Sequence, residues 1–365
     1  MRDRLAERLL AEVMNWSIED VARERPILQS MAKYKYDEYQ KFSPGMRFIE
    51  SLALWLGQFK DLEERRSAYD FVRDRLIFIS NDEMTHFVEM AYPDLIEPHL
   101  IARVAREKTI EPWKIKKIKE SDQFRTARRK TLFLGLSDGS RIDLFRRTNP
   151  ELTHEQIYLT YEIADDRADS LLKKLAVDLS LPEGEEAEES IDFETVVLLD
   201  DFSGSGISYM RKGDDGPDGK VVKFFNSIAD PSKNISKLIH REKTQFILVL
   251  YIATEQAQQY FESMIASTLG EWAPRFNVNV VNPLPDAIRL ATDKSCEFNP
   301  LIENYYDKSL EDKHTDLGGD GVRFGFGRCG LPLILPHNTP NNSLALLWGD
   351  TKNLKALFPR VSRHK

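Results

Sequence analysis

The stretch VVLLDDFSGSGISY, residues 196–209, decides the fold of this sequence. Four apolar residues lead into two neighbouring aspartates, Asp200 and Asp201, and then into a loop of serine and glycine. A short apolar run is typical of a buried strand, and small polar residues after it are typical of a strand that ends at the surface. The stretch therefore predicts a strand that carries two carboxylates to the edge of a sheet.

Further apolar runs lie on both sides of this strand. They are TLFLGL at 131–136, QFILVLYIA at 245–253 and NVNVV at 277–281. Helical patterns separate them: a capping box at Thr153–Gln156 precedes apolar residues at helical spacing from Ile157 to Leu175, and TEQAQQYFESMIASTL follows the run at 245–253. Strands that alternate with helices predict parallel βαβ units, so we expect the carboxyl half to be α/β with a Rossmann-like parallel sheet.

The first hundred residues have helical patterns instead. Apolar residues from Tyr69 to Ile79 recur three or four positions apart, and Ser80–Glu83 fits a capping box that begins another helix. We therefore predict an α-helical domain at 1–105, a basic connecting segment at 106–130 and an α/β domain at 131–365.

Three charged segments accompany these elements. Residues 103–130 contain 11 Lys or Arg and 4 Asp or Glu, which is typical of a solvated helix face or linker and also of a contact with nucleic acid. Residues 183–194 hold seven acids in twelve positions, and 213–220 read GDDGPDGK. Both of the latter predict flexible loops.

Composition limits the class of protein. The chain has 365 residues and a formal net charge of -8, without the overall basic excess of a dedicated nucleic-acid binder. No apolar run approaches the roughly 20 residues of a membrane span, and the charged, amphipathic amino terminus is unlike a secretory signal. Two cysteines are too few for a disulfide framework. We expect a cytoplasmic protein of bacterial type that does not contact the membrane.

The loop after the two aspartates suits a phosphate. Ligands of open α/β sheets bind beyond the carboxyl ends of the strands. Glycines let the backbone approach a ligand closely, and serine hydroxyls donate hydrogen bonds to phosphate oxygens. Asp200 and Asp201 would accept hydrogen bonds from sugar hydroxyls or act through Mg²⁺, which we predict as the cofactor because it pairs carboxylates with phosphates. Together these features predict a site for a ribose 5-phosphate.

The stretch resembles the phosphoribosyl pyrophosphate (PRPP) motif of type I phosphoribosyltransferases. The resemblance implies that Asp200 and Asp201 contact the ribose hydroxyls, carry the catalysis and reach the metal. It also implies a 5-phosphate loop made of Ser203, Gly204, Ser205, Gly206 and Ser208. FLGLSDGSR at 133–141, with Ser137 63 positions before Asp200, resembles the pyrophosphate turn of those enzymes. The residues implied for that turn are Gly135, Ser137, Asp138, Gly139, Ser140 and Arg141.

The carboxyl end carries a second resemblance. GRCGLPLILPHNTPNNSLALLWGD at 327–350, with the helical front end, resembles phosphoribosyltransferase-like proteins of bacterial conflict systems, some of which are effectors in retron and related antiphage cassettes. His337, Asn338 and Asn341 would then contact a base or a leaving group. An ordered surface turn rich in Asn and Pro explains the same residues.

Departures from the biosynthetic family leave several functions open. Those enzymes close a basic or hydroxyl-rich loop over the substrate, whereas residues 176–195 here carry the acidic run. One hypothesis is a defence effector that acts at the anomeric carbon of PRPP or a nucleotide, by transfer or by hydrolysis. The others are a catalytically retired sensor of these ligands, and a component that binds nucleic acid, a reverse transcriptase with its RNA or DNA, or another inhibitory partner. The ExxH spacing of Glu83 and His86 is a further metal candidate, although Glu83 already has a capping role.

Overall fold

A computed structural model describes residues 3–179, 191–293, 295–319 and 321–361. The α-helices are α1 (Asp3–Met14), α2 (Ile18–Tyr34), α3 (Phe48–Leu56), α4 (Leu62–Asp74), α5 (Asn81–Met90), α6 (Glu97–Lys108), α7 (Ile115–Lys119), α8 (Asp122–Arg129), α9 (Ile142–Thr148), α10 (Asp165–Asp178), α11 (Lys220–Ala229), α12 (Asn234–Lys237), α13 (Glu255–Leu269), α14 (Asn299–Asn304) and α15 (Ala345–Trp348). The strands are β1 (Ile77–Phe78), β2 (Thr131–Gly135), β3 (Ile157–Tyr158), β4 (Thr195–Ser203), β5 (Arg211–Gly213), β6 (Gly216–Asp218), β7 (Gln245–Thr254), β8 (Phe276–Leu284) and β9 (Leu333–Ile334). A π-helix covers Ala91–Ile96, and short 3-10 helices include Asp138–Ser140 and His154–Gln156. Among the described helices, none is long and apolar enough to cross a bilayer.

Within the described residues, five strands form a parallel sheet in the order β3-β2-β4-β7-β8. The apolar runs of the sequence form its inner strands, where residues such as Leu134, Leu198 and Leu250 are fully buried. Continuous apolar strands are expected where helices cover both faces of a parallel sheet. The predicted α/β class with a Rossmann-like parallel sheet is confirmed.

The chain divides into two compact units. The second unit is Thr85–Leu284 and contains the five-stranded sheet. The first unit joins residues 1–84 to 285–365, through the parallel pair of β1 with β9 and through a hydrogen bond of 2.8 Å from the Trp55 indole to the carbonyl oxygen of Leu346.

This division differs from the predicted boundaries at 105 and 130, which both fall inside the second unit. Helix α3 is buried on almost every side, so it needs cover that the carboxyl end of the chain supplies. The segment 106–130 is also more than a connection. Ile118 and Phe124 of its helices are buried against Leu100 and Val104 of α6.

Two local predictions were wrong. Helix α10 begins at Asp165, whereas the apolar spacing placed helix from Ile157 onward. The capping box at Thr153 forms, but only a single 3-10 turn follows it. The next two residues form β3, an edge strand paired with β2. The predicted loop at 213–220 contains the end of an antiparallel hairpin, β5 with β6, since two glycines flank its turn. Most of the predicted acidic loop, 183–190, lies outside the described residues.

Candidate functional site

The strand order places the two predicted loops side by side. From β2 the chain moves outward to β3 and then returns to β4 on the other side of β2. Loops that leave neighbouring strands in opposite directions open a crevice at the carboxyl ends of those strands, and ligands of α/β sheets bind there. Gly135, at the end of β2, pairs with Leu199, the residue before Asp200. The predicted pyrophosphate turn and the predicted acids therefore meet at this crevice.

Asp200 is fully buried, and both of its carboxylate oxygens accept hydrogen bonds. Oδ1 accepts from the Ser137 hydroxyl at 2.5 Å and from the amide of Asp201 at 3.1 Å. Oδ2 accepts from the Tyr209 hydroxyl at 2.7 Å and from Lys220 Nζ at 2.6 Å. Four donors on two oxygens provide the compensation that a buried carboxylate requires.

The protonation of this network follows from its burial. Burial raises the pKa of the Asp200 carboxyl, and the positive charge of Lys220 opposes that rise. Burial and the charges of the two aspartates raise the pKa of Tyr209 well above its ordinary value, so its hydroxyl remains a donor. The distance of 2.6 Å between Lys220 Nζ and Asp200 Oδ2 is that of an ion pair, with Tyr209 and Ser137 as further donors to the same carboxylate.

Asp201 is half-buried and lies against the neighbouring turn. Its Oδ1 accepts from the amide of Phe202 at 2.8 Å. A Cβ atom added to Gly139 would lie 2.4 Å from Asp201 Oδ2, so the turn passes directly over this carboxylate. Only glycine leaves room for that approach. The glycine at 139 is thus explained by this close contact and not by its backbone conformation.

The turn at 137–141 is tightly held. The amide of Gly139 donates to the Ser137 hydroxyl at 3.2 Å, and the buried Tyr251 hydroxyl donates to the Ser140 carbonyl at 2.6 Å. Asp138 is exposed at its tip. Arg141 has a φ of 47°, in the left-handed region that residues other than glycine rarely adopt. Backbone strain of this kind is concentrated at functional sites.

The predicted phosphate loop is folded compactly at the end of β4. Ser203, Gly204, Ser205 and Gly206 are buried and Ser208 is exposed. The Thr254 hydroxyl donates to the Gly204 carbonyl at 2.5 Å. Gly206 has a φ of 80°, and a Cβ atom there would lie 2.6 Å from the Tyr260 ring. Glycine is thus required at 206 for both conformation and space.

Several donors of this loop have no acceptor within the described chain. The backbone amides of residues 205–208 donate no hydrogen bond there. Ser203 is 2% exposed, and its hydroxyl oxygen has no hydrogen-bond partner among the described residues. Buried polar groups are almost always paired, so a buried hydroxyl beside a row of unused amides is a place where an anion's oxygens would fit.

A family model, PRTase-CE, matches residues 52–360. The match spans more than four-fifths of the chain. The chain belongs to the PRTase-CE family. It is therefore a phosphoribosyltransferase-like protein, as the resemblance of the 196–209 stretch predicted. Neither the curated proteins nor the solved structures gave a match to the sequence.

Two residues of this PRTase-CE site were missed from the sequence. Tyr209 closes the quoted stretch, but an aromatic residue after a loop gives no sign that its hydroxyl turns back to an aspartate. Lys220 lies 20 positions after Asp200, beyond the hairpin of β5 and β6. No motif marks it, because the contact depends on how that hairpin folds.

The predicted base contacts belong to the other compact unit of this PRTase-CE protein. The Asn338 side chain donates to the Val361 carbonyl at 3.1 Å and accepts from the Val361 amide at 3.2 Å. The Asn341 carbonyl accepts from the amide of Phe326 at 2.7 Å, and His337 is half-buried. Asn338 thus has a structural role in holding the carboxyl end, and ligand contact by these three residues stays a prediction.

The basic segment carries less unpaired charge than its composition suggests. Seven of the eleven Lys and Arg side chains in residues 103–130 form ion pairs within the described chain: Arg103, Lys114, Lys116, Lys119, Arg125, Arg129 and Lys130. The cleft of about 500 Å³ beside α7 is nevertheless lined by lysines and by Trp113, which is 76% exposed.

The predicted metal candidates among the carboxylates are Glu83, Asp200 and Asp201. Glu83 accepts from the Ser80 amide at 2.7 Å and from Lys35 Nζ at 2.9 Å, which confirms the capping box and leaves its ExxH motif isolated. Across the described ranges, no group of three or more His, Cys, Asp or Glu forms a metal-binding cluster. A Mg²⁺ bridging both aspartates does not fit well, since Asp200 already accepts four hydrogen bonds. Asp201 remains as the carboxylate beside the crevice.

Proposed function

We propose that the protein binds the ribose 5-phosphate part of PRPP or of a nucleotide at the carboxyl ends of β2 and β4, and acts at its anomeric carbon. The observation that carries this proposal is the row of unused amides at 205–208 beside the buried Ser203 hydroxyl. Charge-assisted hydrogen bonds to phosphate oxygens are strong, at about 1.5–3 kcal/mol each. Membership of the PRTase-CE family supports the same ligand class.

The remaining residues receive roles from their positions. Asp201 begins the phosphate loop and would accept hydrogen bonds from the ribose hydroxyls, while its charge would stabilise positive charge that develops at the anomeric carbon. The turn at 135–141 would hold the leaving group, with the Arg141 guanidinium available for a diphosphate. Mg²⁺ would enter with the diphosphate of PRPP or of a nucleotide, because hard divalent cations bind phosphate oxygens. Asp200 would support Asp201 from the interior of the protein, without contact with the substrate.

We further propose that the protein is an effector of a bacterial antiphage system, held in check by a partner such as a reverse transcriptase with its RNA or DNA. The resemblance of residues 327–350 supports this setting. The acidic run in place of a basic closing loop supports consumption of a ligand over synthesis of a nucleotide, since an open site admits water more readily.

A second candidate function is a sensor that binds the same ligand without turnover. It is favoured by the hydrogen bonds of Asp200, whose carboxylate oxygens already accept from Ser137, Tyr209 and Lys220. One carboxylate is then left for the ribose, where the family pattern offers two. A third candidate is nucleic-acid binding at α7, favoured by the exposed Trp113 beside lysines, because single strands stack on aromatic rings and pair with cations.

The test is incubation of the pure protein with Mg²⁺, PRPP and a panel of nucleotides, followed by mass spectrometry and direct binding measurements. Released diphosphate, free base or ribose phosphate, absent with Asp201→Asn, identifies the enzyme. Binding without turnover identifies the sensor. If neither binding nor turnover is found for any of these ligands, the proposed ribose phosphate site is rejected. A fluorescent single-stranded oligonucleotide, titrated at low and high salt, tests the third candidate separately.

A further inference from the structure

We infer that Lys220 is a positioning residue of this site: it holds the charge of Asp200 inside the protein, so that a ribose phosphate meets one carboxylate, Asp201, and binds without a divalent cation. The inference rests on the proposed function and deepens it. The compensating charge then comes from a side chain of the protein and not from a metal ion.

The position of Lys220 suits this role. Its Nζ lies 2.6 Å from Asp200 Oδ2 and 4.8 Å from the centroid of the Tyr209 ring. The Lys220 side chain is 36% exposed, whereas that of Asp200 is fully buried. The ammonium group therefore reaches inward from the surface to an acid that solvent does not touch, and the ring of Tyr209 adds a cation–π contact.

The same elements fix Lys220 relative to the phosphate loop. The amide of Lys220 donates to the Ser208 carbonyl at 3.0 Å, and the amide of Val221 donates to the Tyr209 carbonyl at 3.0 Å. Gly219, just before Lys220, has a φ of 123°, and a Cβ atom there would lie 2.3 Å from the Tyr209 carbonyl oxygen. The lysine is thus tied through two backbone bonds to the end of the loop that would receive the phosphate.

The charge of Lys220 affects how strongly the site repels a phosphate ligand. Two adjacent carboxylates repel a phosphate dianion, and the sequence alone suggested a metal ion to offset them. With Lys220 paired to Asp200, the cluster of Asp200, Asp201 and Lys220 carries one net negative charge instead of two. Without Lys220, Asp200 would be a buried and uncompensated anion behind the ribose.

The experiment measures the Kd of ribose 5-phosphate by calorimetry, in EDTA and with Mg²⁺, at one fixed pH near neutrality for all proteins. The proteins are the wild type, Lys220→Met, Lys220→Arg and the double variant Asp200→Asn/Lys220→Met.

We expect the wild-type Kd to agree within about twofold with and without Mg²⁺, and Lys220→Met to weaken binding at least about tenfold, because it leaves a buried anion behind the ribose. The double variant should recover to within about threefold of the wild type, since asparagine carries no charge to offset. Lys220→Arg keeps the positive charge and should lose less affinity than Lys220→Met.

The outcomes separate the inference from the proposed function. Absence of wild-type binding under all conditions defeats the proposed function and the inference with it. Wild-type binding that requires Mg²⁺ overturns the inference alone. A Lys220→Met deficit that Asp200→Asn does not relieve overturns it as well, because a purely structural lysine would give that pattern. Should Lys220→Met fail to fold, the double variant decides: binding in EDTA supports the inference and loss of binding refutes it.

Discussion

Gly219 and Gly216 offer a matched pair for testing how the hairpin fixes the site. Both have a φ of 123°, a conformation that side chains other than glycine rarely adopt. A Cβ atom at Gly216 would meet nothing within 4 Å, whereas one at Gly219 would lie 2.3 Å from the carbonyl oxygen of Tyr209. Gly216→Ala therefore adds backbone strain alone, and Gly219→Ala adds the same strain together with a collision against backbone.

The expected magnitudes follow from these two terms. A non-glycine residue in such a region costs about 1–3 kcal/mol, which is the whole effect expected for Gly216→Ala. To relieve the collision at Gly219, the backbone has to shift and weaken the bonds from the Lys220 and Val221 amides, each of about 1 kcal/mol. We expect Gly219→Ala to destabilise the protein by about 2 kcal/mol more than Gly216→Ala, or roughly 4–8 °C in Tm for a unit of this size.

Urea unfolding followed by far-UV circular dichroism measures both variants against the wild type. The ribose 5-phosphate affinity of Gly219→Ala should also fall, since Lys220 follows directly after the glycine, while Gly216→Ala should bind like the wild type. Equal destabilisation by the two substitutions would refute this account of the hairpin, because it would mean that the contact at Tyr209 contributes nothing.

Three further outcomes are expected. Gly139→Ala adds a methyl group that displaces the half-buried Asp201 carboxylate but no backbone atoms. It should therefore lower the unliganded Tm by less than about 4 °C and remove the stabilisation by ribose 5-phosphate, as measured by thermal shift with and without this ligand. Burial raises the pKa of Glu194, but the hydrogen bonds and charges of Lys130 and Arg103 outweigh burial and lower that pKa below 4.5. The stabilising contribution of the Glu194 carboxylate is therefore present above that pH and lost as the pH falls. Glu194→Gln should cost about 1–3 kcal/mol in urea unfolding at neutral pH and less near pH 4. Expression of the wild type alone should slow bacterial growth, and Asp201→Ala should relieve the effect, because removing such a charge typically costs about 10²–10³ in rate; equal growth defects would favour the sensor.

The sequence was sufficient where apolar runs are long. The strands at 131–135, 195–203, 245–254 and 276–284 and the helix at 255–269 all lie where periodicity placed them. Long segments average over local detail, so their pattern is a strong signal. The family resemblance placed Ser137 and Asp200 in one site, but their hydrogen bond became visible only with the pairing of β2 and β4.

Short and distant contacts were not accessible in this way. Strands β1, β3 and β9 have two residues each, too few to show a period, and the pairing of β1 with β9 joins the two ends of the chain. A capping box specifies a turn but not the length of the helix after it, which explains the late start of α10 at Asp165. Lys220 reaches Asp200 only because a glycine-flanked hairpin folds back, and the sequence of that hairpin reads equally well as a loop.

The central claim is that residues 200–208 bind a ribose 5-phosphate moiety through Asp201 and the phosphate loop. Thermal unfolding of the wild type and of Asp201→Asn, with and without PRPP or ribose 5-phosphate, tests it most directly. A ligand that binds only the folded state adds about 2.7 kcal/mol at a hundredfold excess over its Kd. The account predicts a rise in the wild-type Tm that Asp201→Asn abolishes while its unliganded Tm stays close to that of the wild type. No rise with either ligand, or an equal rise in both proteins, would contradict it.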